Sequence, residues 1–216
     1  MLFSWFTLAS AYSGPPPTGS TGPLVAALSP LGYAGLDATA EQRREISAIL
    51  AKLAQSNPNP RPATDLDGGW ELIYSDAPDV VGLARSGPLL RLLRVGQQID
   101  KTEGTIANII EFGPRSWLPL AAANAEGDRF QQRVLLKYEV DEGGTQCTLT
   151  LTGAGLAPKT LLGVSLDSVP PLKLEGPLGL PFGTFECLYN DGDVRVVRTA
   201  QGYYGVNQRL GPDENW

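Results

Sequence analysis

The chain reads Asn57-Pro58-Asn59-Pro60 and, a few residues later, Leu66-Asp67-Gly68-Gly69-Trp70-Glu71-Leu72-Ile73-Tyr74-Ser75. A proline disfavours the helical conformation of the residue before it, so the first run predicts the end of a helix. The second run is rich in aromatic and branched apolar residues and predicts a β-strand. Together the two runs indicate where a domain begins.

A second informative segment lies near the C-terminus and runs Thr184-Phe185-Glu186-Cys187-Leu188-Tyr189-Asn190-Asp191-Gly192-Asp193-Val194-Arg195-Val196-Val197-Arg198. Its Asn-Asp-Gly sequence predicts a turn between two short strands. By strand alternation we expect Asp191, Asp193 and Arg195 on one side of this hairpin, close enough for a carboxylate–guanidinium pair.

These two segments resemble the ends of the plastid lipid-associated protein family, also called fibrillins. The domain of that family opens with a helix, an Asn-Pro-rich stop and a Gly-x-Trp strand. The family's closing pattern is matched here by Tyr189, Asp191, Asp193, Arg195 and Arg198. The middle blocks of the family look like Gly96–Asp100 and Asn108–Phe112. The resemblance covers roughly residues 38 to 210 and marks Asp191, Asp193 and Arg195 as signature residues.

Size and charge narrow the classes of function. A chain of 216 residues with 42% hydrophobic content is the size of one domain with a core of its own. The formal net charge of -6 argues against a general nucleic-acid binder, so no nucleic-acid partner is expected. No apolar run approaches the ~18 residues of a membrane-spanning helix, so we expect any membrane attachment to be peripheral.

The chain contains no histidine. This excludes Ser-His-Asp and Cys-His catalysis and every zinc or non-haem iron site that needs histidine. The two cysteines, Cys147 and Cys187, are too few for a structural zinc site. We therefore expect no metal and no cofactor. Buried small hydrophobes are the first interpretation of both cysteines, and a disulfide or redox pair is the alternative.

The first 36 residues contain no charged side chain. The apolar run Met1–Ala9 ends in Ala9-Ser10-Ala11, which fits the small-x-small rule for signal cleavage, and Tyr12 follows. This arrangement resembles the bipartite presequence of algae with secondary red plastids. Residues 1–36 are therefore predicted to be a targeting presequence, with a disordered tail as the alternative.

A helix is predicted within residues 37–57. Thr39–Gln42 has the pattern of a capping box, and apolar residues then recur at helical spacing at Ile46, Ile49, Leu50 and Leu53. The opposite face is charged, so we expect the helix to lie across one end of the following domain. A partner-binding helix is the alternative.

Residues 58–216 carry the signals of an antiparallel β-domain. Apolar and polar residues alternate from Arg133 to Val140, Asp141–Gly144 predicts a turn, and alternation resumes in Thr145–Thr152. Similar turns elsewhere give about eight short strands without βαβ alternation. The sequence therefore predicts a mainly β fold, a lipocalin-like antiparallel β-barrel.

A barrel of about eight strands is either filled by side chains or holds one small ligand. Aromatic side chains on the predicted strands are candidates for lining such a cavity, although a packed core explains them as well. These candidates are Trp70, Tyr74, Phe112, Phe130, Tyr138 and Phe185.

Two segments between the predicted strands are unusually apolar. Val80–Val95 combines leucines with three arginines and contains no acid, which suits contact with an anionic lipid surface or a partner. The contact candidates are Leu89, Leu90, Arg91, Leu93 and Arg94. A short helix that caps the barrel is the alternative. Leu156–Phe182 contains five prolines, so we expect a flap over the barrel mouth or against a membrane rather than a central strand.

The family resemblance implies a non-enzymatic plastid protein that binds or shelters a hydrophobic metabolite, such as an isoprenoid quinone, a tocopherol, a carotenoid or an acyl lipid. It implies a place at thylakoid or plastoglobule surfaces. One alternative is a scaffold subunit that docks on a thylakoid membrane complex through Val80–Val95. Another is an enzyme that modifies an isoprenoid lipid through Asp191 and Asp193, because a buried carboxylate can act as a base without histidine.

Overall fold

In a computed structural model, the described residues are 21–83, 90–115, 128–161, 164–166, 168–170, 172–212, 214 and 216. Over these ranges the chain forms three α-helices, which are α1 (Gly22–Leu28), α2 (Ala40–Gln55) and α3 (Pro78–Leu83). It also forms nine β-strands, which are β1 (Gly68–Ser75), β2 (Leu90–Asp100), β3 (Thr105–Pro114), β4 (Arg129–Val140), β5 (Gln146–Leu161), β6 (Val164–Ser165), β7 (Leu172–Asn190), β8 (Val194–Thr199) and β9 (Tyr204–Arg209). None of the helices in the described ranges is long and apolar enough to cross a membrane.

The strands form one antiparallel sheet that meets itself. Its order is β4-β3-β2-β1-β9-β8-β7-β5, with the two-residue β6 attached to β5. β4 also pairs with β5 from Arg129 opposite Thr160 to Val140 opposite Cys147, so eight strands complete a ring. The predicted mainly β fold is confirmed, and a lipocalin-like barrel describes the ring well.

One core lies inside the ring, at the end where the chain enters β1. Trp70 is fully buried there, and its Nε1 donates a hydrogen bond of 2.7 Å to the carbonyl of Leu66. The buried apolar residues packed around it come from β2, β3, β4, β5 and β7, and they include Ile99, Ile106, Leu136, Cys147 and Cys187. The Gly-x-Trp segment thus closes this end of the barrel.

A second core lies on the outer face of the ring. The apolar stripe of α2, with Ile46, Leu50 and Leu53, packs against Tyr74, Tyr189, Val196 and Val206 on β1, β7, β8 and β9. The predicted capping box is present, since Thr39 and Gln42 exchange side-chain-to-backbone hydrogen bonds. The expectation that this helix lies across a barrel end was wrong, because its apolar stripe matches the outward-facing residues of four strands.

Residues 21–36 fold against the same outer face. Leu24, Leu31 and Ala34 are buried, and Leu24 and Leu31 join the outer core. Arg43 of α2 fixes this segment by donating to the carbonyls of Gly35, Ala38 and Ser75. The part of the predicted tail that the structure describes is therefore a packed segment, and the presequence hypothesis stays a prediction for residues 1–20.

The two apolar segments predicted to lie between strands are largely strand. Within Val80–Val95, residues up to Leu83 belong to α3, and Leu90–Val95 pairs with β3. Within Leu156–Phe182, β5 continues to Leu161 and β7 begins at Leu172, with Leu156 directly opposite Leu172. The prediction of a flap was wrong for these paired residues.

Irregular register explains how prolines fit within β5 and β7. Pro158 lies opposite Phe130, and the next pair, Arg129 with Thr160, skips Lys159. Pro181 lies opposite Thr150, and the next pair, Leu149 with Gly183, skips Phe182. A β-bulge removes a ladder hydrogen bond locally, so the missing N–H of proline costs little there.

Candidate ligand-binding cavity

The ring contains a partly open cavity of about 580 Å³ next to the inner core. Its wall is mainly apolar and includes Leu72, Val95, Ile110, Val134, Leu149, Phe185 and Val197. Residues of α3, Val80 and Leu83 among them, also line it, as do Phe182 and Tyr203. A largely apolar concavity of this size is typical of small-molecule sites.

The apolar wall continues beyond the enclosed part. Side chains directly opposite each other in an antiparallel ladder point to the same face of the sheet. One row of opposite residues across β2, β3, β4, β5 and β7 is Val95, Ile110, Gln132, Leu156 and Leu172. The next row is Gln97, Asn108, Val134, Ala154 and Leu174.

Three leucines in these rows are open to solvent. Leu156 is 47% exposed, Leu172 70% and Leu174 74%. Because their rows also contain cavity-lining residues, these leucines lie on the cavity-side face of the sheet. The wall of the cavity therefore extends into an exposed apolar surface, which we call the leucine wall (Leu156, Leu172 and Leu174).

A polar layer separates the cavity from the inner core. Arg195 of β8 is fully buried, and its guanidinium lies 4.6 Å from the ring centre of Trp70. Arg209 of β9 also lies over the Trp70 ring, at 4.3 Å. Arginine over an aromatic face is a favourable cation–π contact, so Trp70 stabilises charge that burial would otherwise penalise.

From Arg195 the polar layer continues to β2 and β3. Arg195 Nη2 donates to Gln97 Oε1 at 2.5 Å, and Gln97 Nε2 donates to Asn108 Oδ1 at 2.8 Å. Both Gln97 and Asn108 line the cavity, and so does the buried Asn207. Among the described residues we call Arg195, Gln97 and Asn108 the polar floor of the cavity.

The positive charge of Arg195 has no counter-charge at the floor. Arg195 forms no ion pair with a described carboxylate, and its Nε and Nη1 atoms are buried without a hydrogen-bond partner. Burial lowers the pKa of its guanidinium to about 10. The group is therefore still protonated at neutral pH.

Comparison with known proteins identifies the family. The PAP_fibrillin family model matches residues 21–207. The chain belongs to the PAP_fibrillin family. The family resemblance noted in the sequence is thereby confirmed, and the match includes the packed segment that precedes α2.

Curated relatives agree with this assignment. Plastid lipid-associated protein 1, chloroplastic, of Brassica campestris is 32% identical over 205 residues, covering 82% of this chain and 63% of that protein. The light-induced protein, chloroplastic, of Solanum tuberosum is 32% identical over 144 residues, covering 63% of this chain and 43% of that protein. The chromoplast-specific carotenoid-associated protein C1 of an Oncidium hybrid cultivar is 33% identical over 118 residues, covering 51% and 37%. The chain thus spans less than two thirds of the length of these relatives.

In this PAP_fibrillin domain, the six predicted aromatic residues occupy different places. Phe185 lines the cavity. Trp70 lies beneath the polar floor, and Tyr74 belongs to the outer core. Tyr138 packs beside the inner core, whereas Phe112 and Phe130 stack on each other with ring centres 5.4 Å apart. Of the six, Phe185 alone belongs to the lining of this cavity.

The predicted pair between Arg195 and the aspartates does not form. Asp191 is exposed, and its carboxylate accepts hydrogen bonds from the backbone N–H of Asp193 and Val194 and from the Tyr189 hydroxyl. Asp193 is also exposed. Strand alternation begins only after the turn, so the side chain of Arg195 enters the barrel while both carboxylates stay in the turn.

Four of the residues predicted to contact a membrane or partner, Leu90, Arg91, Leu93 and Arg94, lie half-buried in β2. Arg94 pairs with Glu71 at 3.2 Å and lies over the Trp216 ring, 4.4 Å from its centre. Leu90, Arg91 and Leu93 pair with β3 or pack beside it. Leu89 lies outside the described residues. The role of these residues in membrane or partner contact stays a prediction. The side chains of the leucine wall are far more exposed to solvent than theirs.

Both cysteines are free and buried. Burial raises the pKa of Cys147 to about 12 and that of Cys187 to about 11, so both are neutral thiols near neutral pH. In the part of the chain that the structure describes, no group of three or more Cys, Asp or Glu residues is placed to hold a metal ion.

Sequence reasoning missed Gln97, Asn108 and Asn207. A signal was present for Gln97 and Asn108, because each is a polar residue at an inward-facing position of a strand whose neighbouring inward positions are apolar. Two of the three lie in blocks that resemble the family, Gly96–Asp100 and Asn108–Phe112. Their cross-strand meeting depends on the register of β2 with β3, which pairs Gln97 with Asn108.

Proposed function

We propose that this PAP_fibrillin domain is a non-enzymatic carrier of a small hydrophobic molecule. The proposed ligand class comprises isoprenoid quinones, tocopherols, carotenoids and acyl lipids. The observation that carries the proposal is the mainly apolar cavity of about 580 Å³, whose wall continues into the leucine wall. The names of the relatives, which include lipid-associated and carotenoid-associated proteins, support the same ligand class.

The energetics suit a carrier that exchanges its ligand. Burial of roughly 400 Å² of apolar ligand surface gives about 10 kcal/mol at about 25 cal/mol per Å². Association and ordering costs of about 4 kcal/mol leave about 6 kcal/mol, which corresponds to a dissociation constant of tens of micromolar. Such binding needs no catalytic group.

The leucine wall supports contact with a lipid surface. Large exposed apolar side chains adjoin one another there, and exposed apolar patches mark protein or membrane contacts. A ligand that enters the cavity from a lipid phase would pass along this wall without crossing water. The relatives are named as chloroplastic or chromoplastic proteins. These names support a location in the plastid, and we propose thylakoid or plastoglobule surfaces as the site within it.

Native mass spectrometry tests the carrier function. The purified full chain is incubated with a total lipid extract of chloroplast membranes, re-isolated and sprayed under non-denaturing conditions. The expected result is a complex of one protein with one isoprenoid or acyl lipid. Val134→Phe adds volume to the cavity wall, so this variant should retain less lipid while its unfolding midpoint stays close to that of the wild type.

Two results would overturn the carrier function. A lipid-free protein would remove the basis for a ligand-filled cavity. If that lipid-free protein then captured a membrane complex from detergent-solubilised thylakoids, the result would favour the scaffold alternative. Equal lipid retention by Val134→Phe would place the lipid outside the cavity.

A further inference from the structure

The polar floor has a fixed hydrogen-bonding direction. A guanidinium only donates hydrogen bonds, so the contact from Arg195 requires the oxygen of the Gln97 amide to face it. The Gln97 nitrogen then faces Asn108 and requires the oxygen of that amide in turn. The chain of contacts therefore leaves the Nδ2 group of Asn108 as a donor, together with the second N–H of Gln97 Nε2.

Each amide oxygen of the floor already accepts one hydrogen bond. Gln97 Oε1 accepts from Arg195, and Asn108 Oδ1 accepts from Gln97. No described residue accepts a hydrogen bond from Asn108 Nδ2. Asn108 is half-buried in the open cavity, and a ligand that displaces water from the cavity would bury its N–H group. Such a ligand is favoured if it brings an oxygen acceptor, because a buried donor left unpaired costs free energy.

The positive charge of Arg195 also favours a ligand with an oxygen acceptor. Arg195 is fully buried, protonated and without a carboxylate partner, and two of its nitrogen atoms have no hydrogen-bond partner. Charges interact strongly over several ångströms in the interior of a protein, where the effective dielectric constant is well below that of water. The floor thus carries a positive potential into a cavity with apolar walls.

We infer that the cavity selects ligands with an oxygen acceptor at one end of an apolar body, preferably a carboxylate, and that Gln97 and Asn108 bind this oxygen. The inference rests on the proposed carrier function, which by itself requires no particular head group. The oxygen lies against the floor, and the apolar body of the ligand follows the wall past Phe185 towards the leucine wall.

Equilibrium partition of radiolabelled probes tests the inference on the full chain. The probes are dodecanoic acid, methyl dodecanoate and dodecane, which share an apolar chain and differ in the end group. We expect the acid to bind at least about tenfold more tightly than dodecane, since hydrogen bonds to charged groups are the stronger class. The ester should lie between them. Equal binding of all three probes would overturn the inference, whereas no binding of any probe would overturn the carrier function.

Two floor variants separate the hydrogen bond from the charge. Asn108→Leu removes one of the two donors, so it should weaken binding of acid and ester at least about threefold and should not weaken binding of dodecane. Gln97→Glu places a carboxylate beside Arg195, so it should weaken binding of the acid by at least about tenfold and change binding of the ester much less.

A matched control lies on the same strand. Gln98 is next to Gln97 and is exposed, so Gln98→Leu should leave all three affinities unchanged. Thermal unfolding of each variant shows whether the barrel is intact. If folded Asn108→Leu protein binds acid and ester as tightly as the wild type, or if Gln97→Glu affects acid and ester alike, the assignment of the floor is overturned.

Discussion

Asn190 ties the end of β7 to the segment that leads into β1. Its side chain is 2% exposed. Its Nδ2 donates to the carbonyls of Pro62 and Asp65 at 3.0 and 2.8 Å, and its Oδ1 accepts from the backbone N–H of Gly192 at 3.0 Å. One amide therefore satisfies groups on two distant parts of the chain. The family resemblance marks the neighbouring Asp191 and Asp193 as signature residues. The Asp191 carboxylate accepts hydrogen bonds only from residues within three positions of it, and the Asp193 carboxylate accepts none from a described residue.

Asn190→Ala should lower the free energy of unfolding by about 3 kcal/mol, because it leaves buried carbonyl groups without a donor. The Asp193 carboxylate accepts no hydrogen bond from a described residue, so Asp193→Ala should change stability by less than about 0.5 kcal/mol. Urea unfolding of both variants measures the difference. Equal losses would show that the turn depends on its charges rather than on the Asn190 amide.

Glu71 makes stability depend on pH. Burial raises the pKa of this carboxyl above its usual 4.5, and the nearby Arg94 offsets only part of that effect. A raised pKa means that the folded state binds protons more tightly than the unfolded state. The contribution to stability is thus present below about pH 4.5 and is lost as pH rises through the folded pKa.

Glu71→Gln removes this titration and keeps a side-chain oxygen for Arg94. The unfolding free energy of the variant should therefore rise relative to that of the wild type as pH increases from about 4.5 through the raised folded pKa of Glu71. Chemical unfolding at several pH values gives the difference curve. A flat curve, or a slope of the opposite sign, would contradict the raised pKa.

At the scale of elements, the segment before α2 completes the barrel wall. The pairing of β1 with β2 runs only as far as Glu71 opposite Gly96, and β1 then shifts register against β9. The backbone of Val95 is therefore next to a gap. The Tyr33 hydroxyl fills it, accepting from Val95 N–H at 2.5 Å and donating to the Val95 carbonyl at 3.2 Å.

Tyr33→Phe should lower the free energy of unfolding by about 1–3 kcal/mol, because both backbone groups of Val95 lose their partner. Hydrogen exchange provides the local readout, and the Val95 amide should exchange faster in the variant. Tyr203→Phe is the matched control, since the Tyr203 side chain is exposed and its hydroxyl has no described partner. Unchanged exchange at Val95 would refute the role of Tyr33 in the wall.

At the scale of the whole molecule, local patterns predict the ring but not its interior. Turn signals and alternation indicate about eight antiparallel strands, and the capping box of α2 is read directly from Thr39–Gln42. Pro158 and Pro181 led to the wrong prediction of a flap. The free-energy cost of a proline within a strand depends on β-bulges, which only long-range strand pairing creates. The polar floor is equally hidden, since Arg195, Gln97 and Asn108 come from three strands and meet only through the register of the closed ring.

The leucine wall should determine how strongly the protein attaches to a lipid surface. Leu172 and Leu174 are 70% and 74% exposed, so Leu172→Glu with Leu174→Glu removes apolar surface without opening the core. Flotation with phosphatidylcholine vesicles should show binding weakened at least about tenfold, because each leucine contributes about 1.5–3 kcal/mol when fully buried.

Ala40→Glu with Ala51→Glu adds the same charge on exposed positions of α2 and should float like the wild type. Partition of the uncharged methyl dodecanoate should change much less than flotation in the Leu172→Glu with Leu174→Glu protein, which separates surface contact from the cavity. Equal loss of flotation in the two double variants would mean that net charge, rather than the leucine wall, governs attachment.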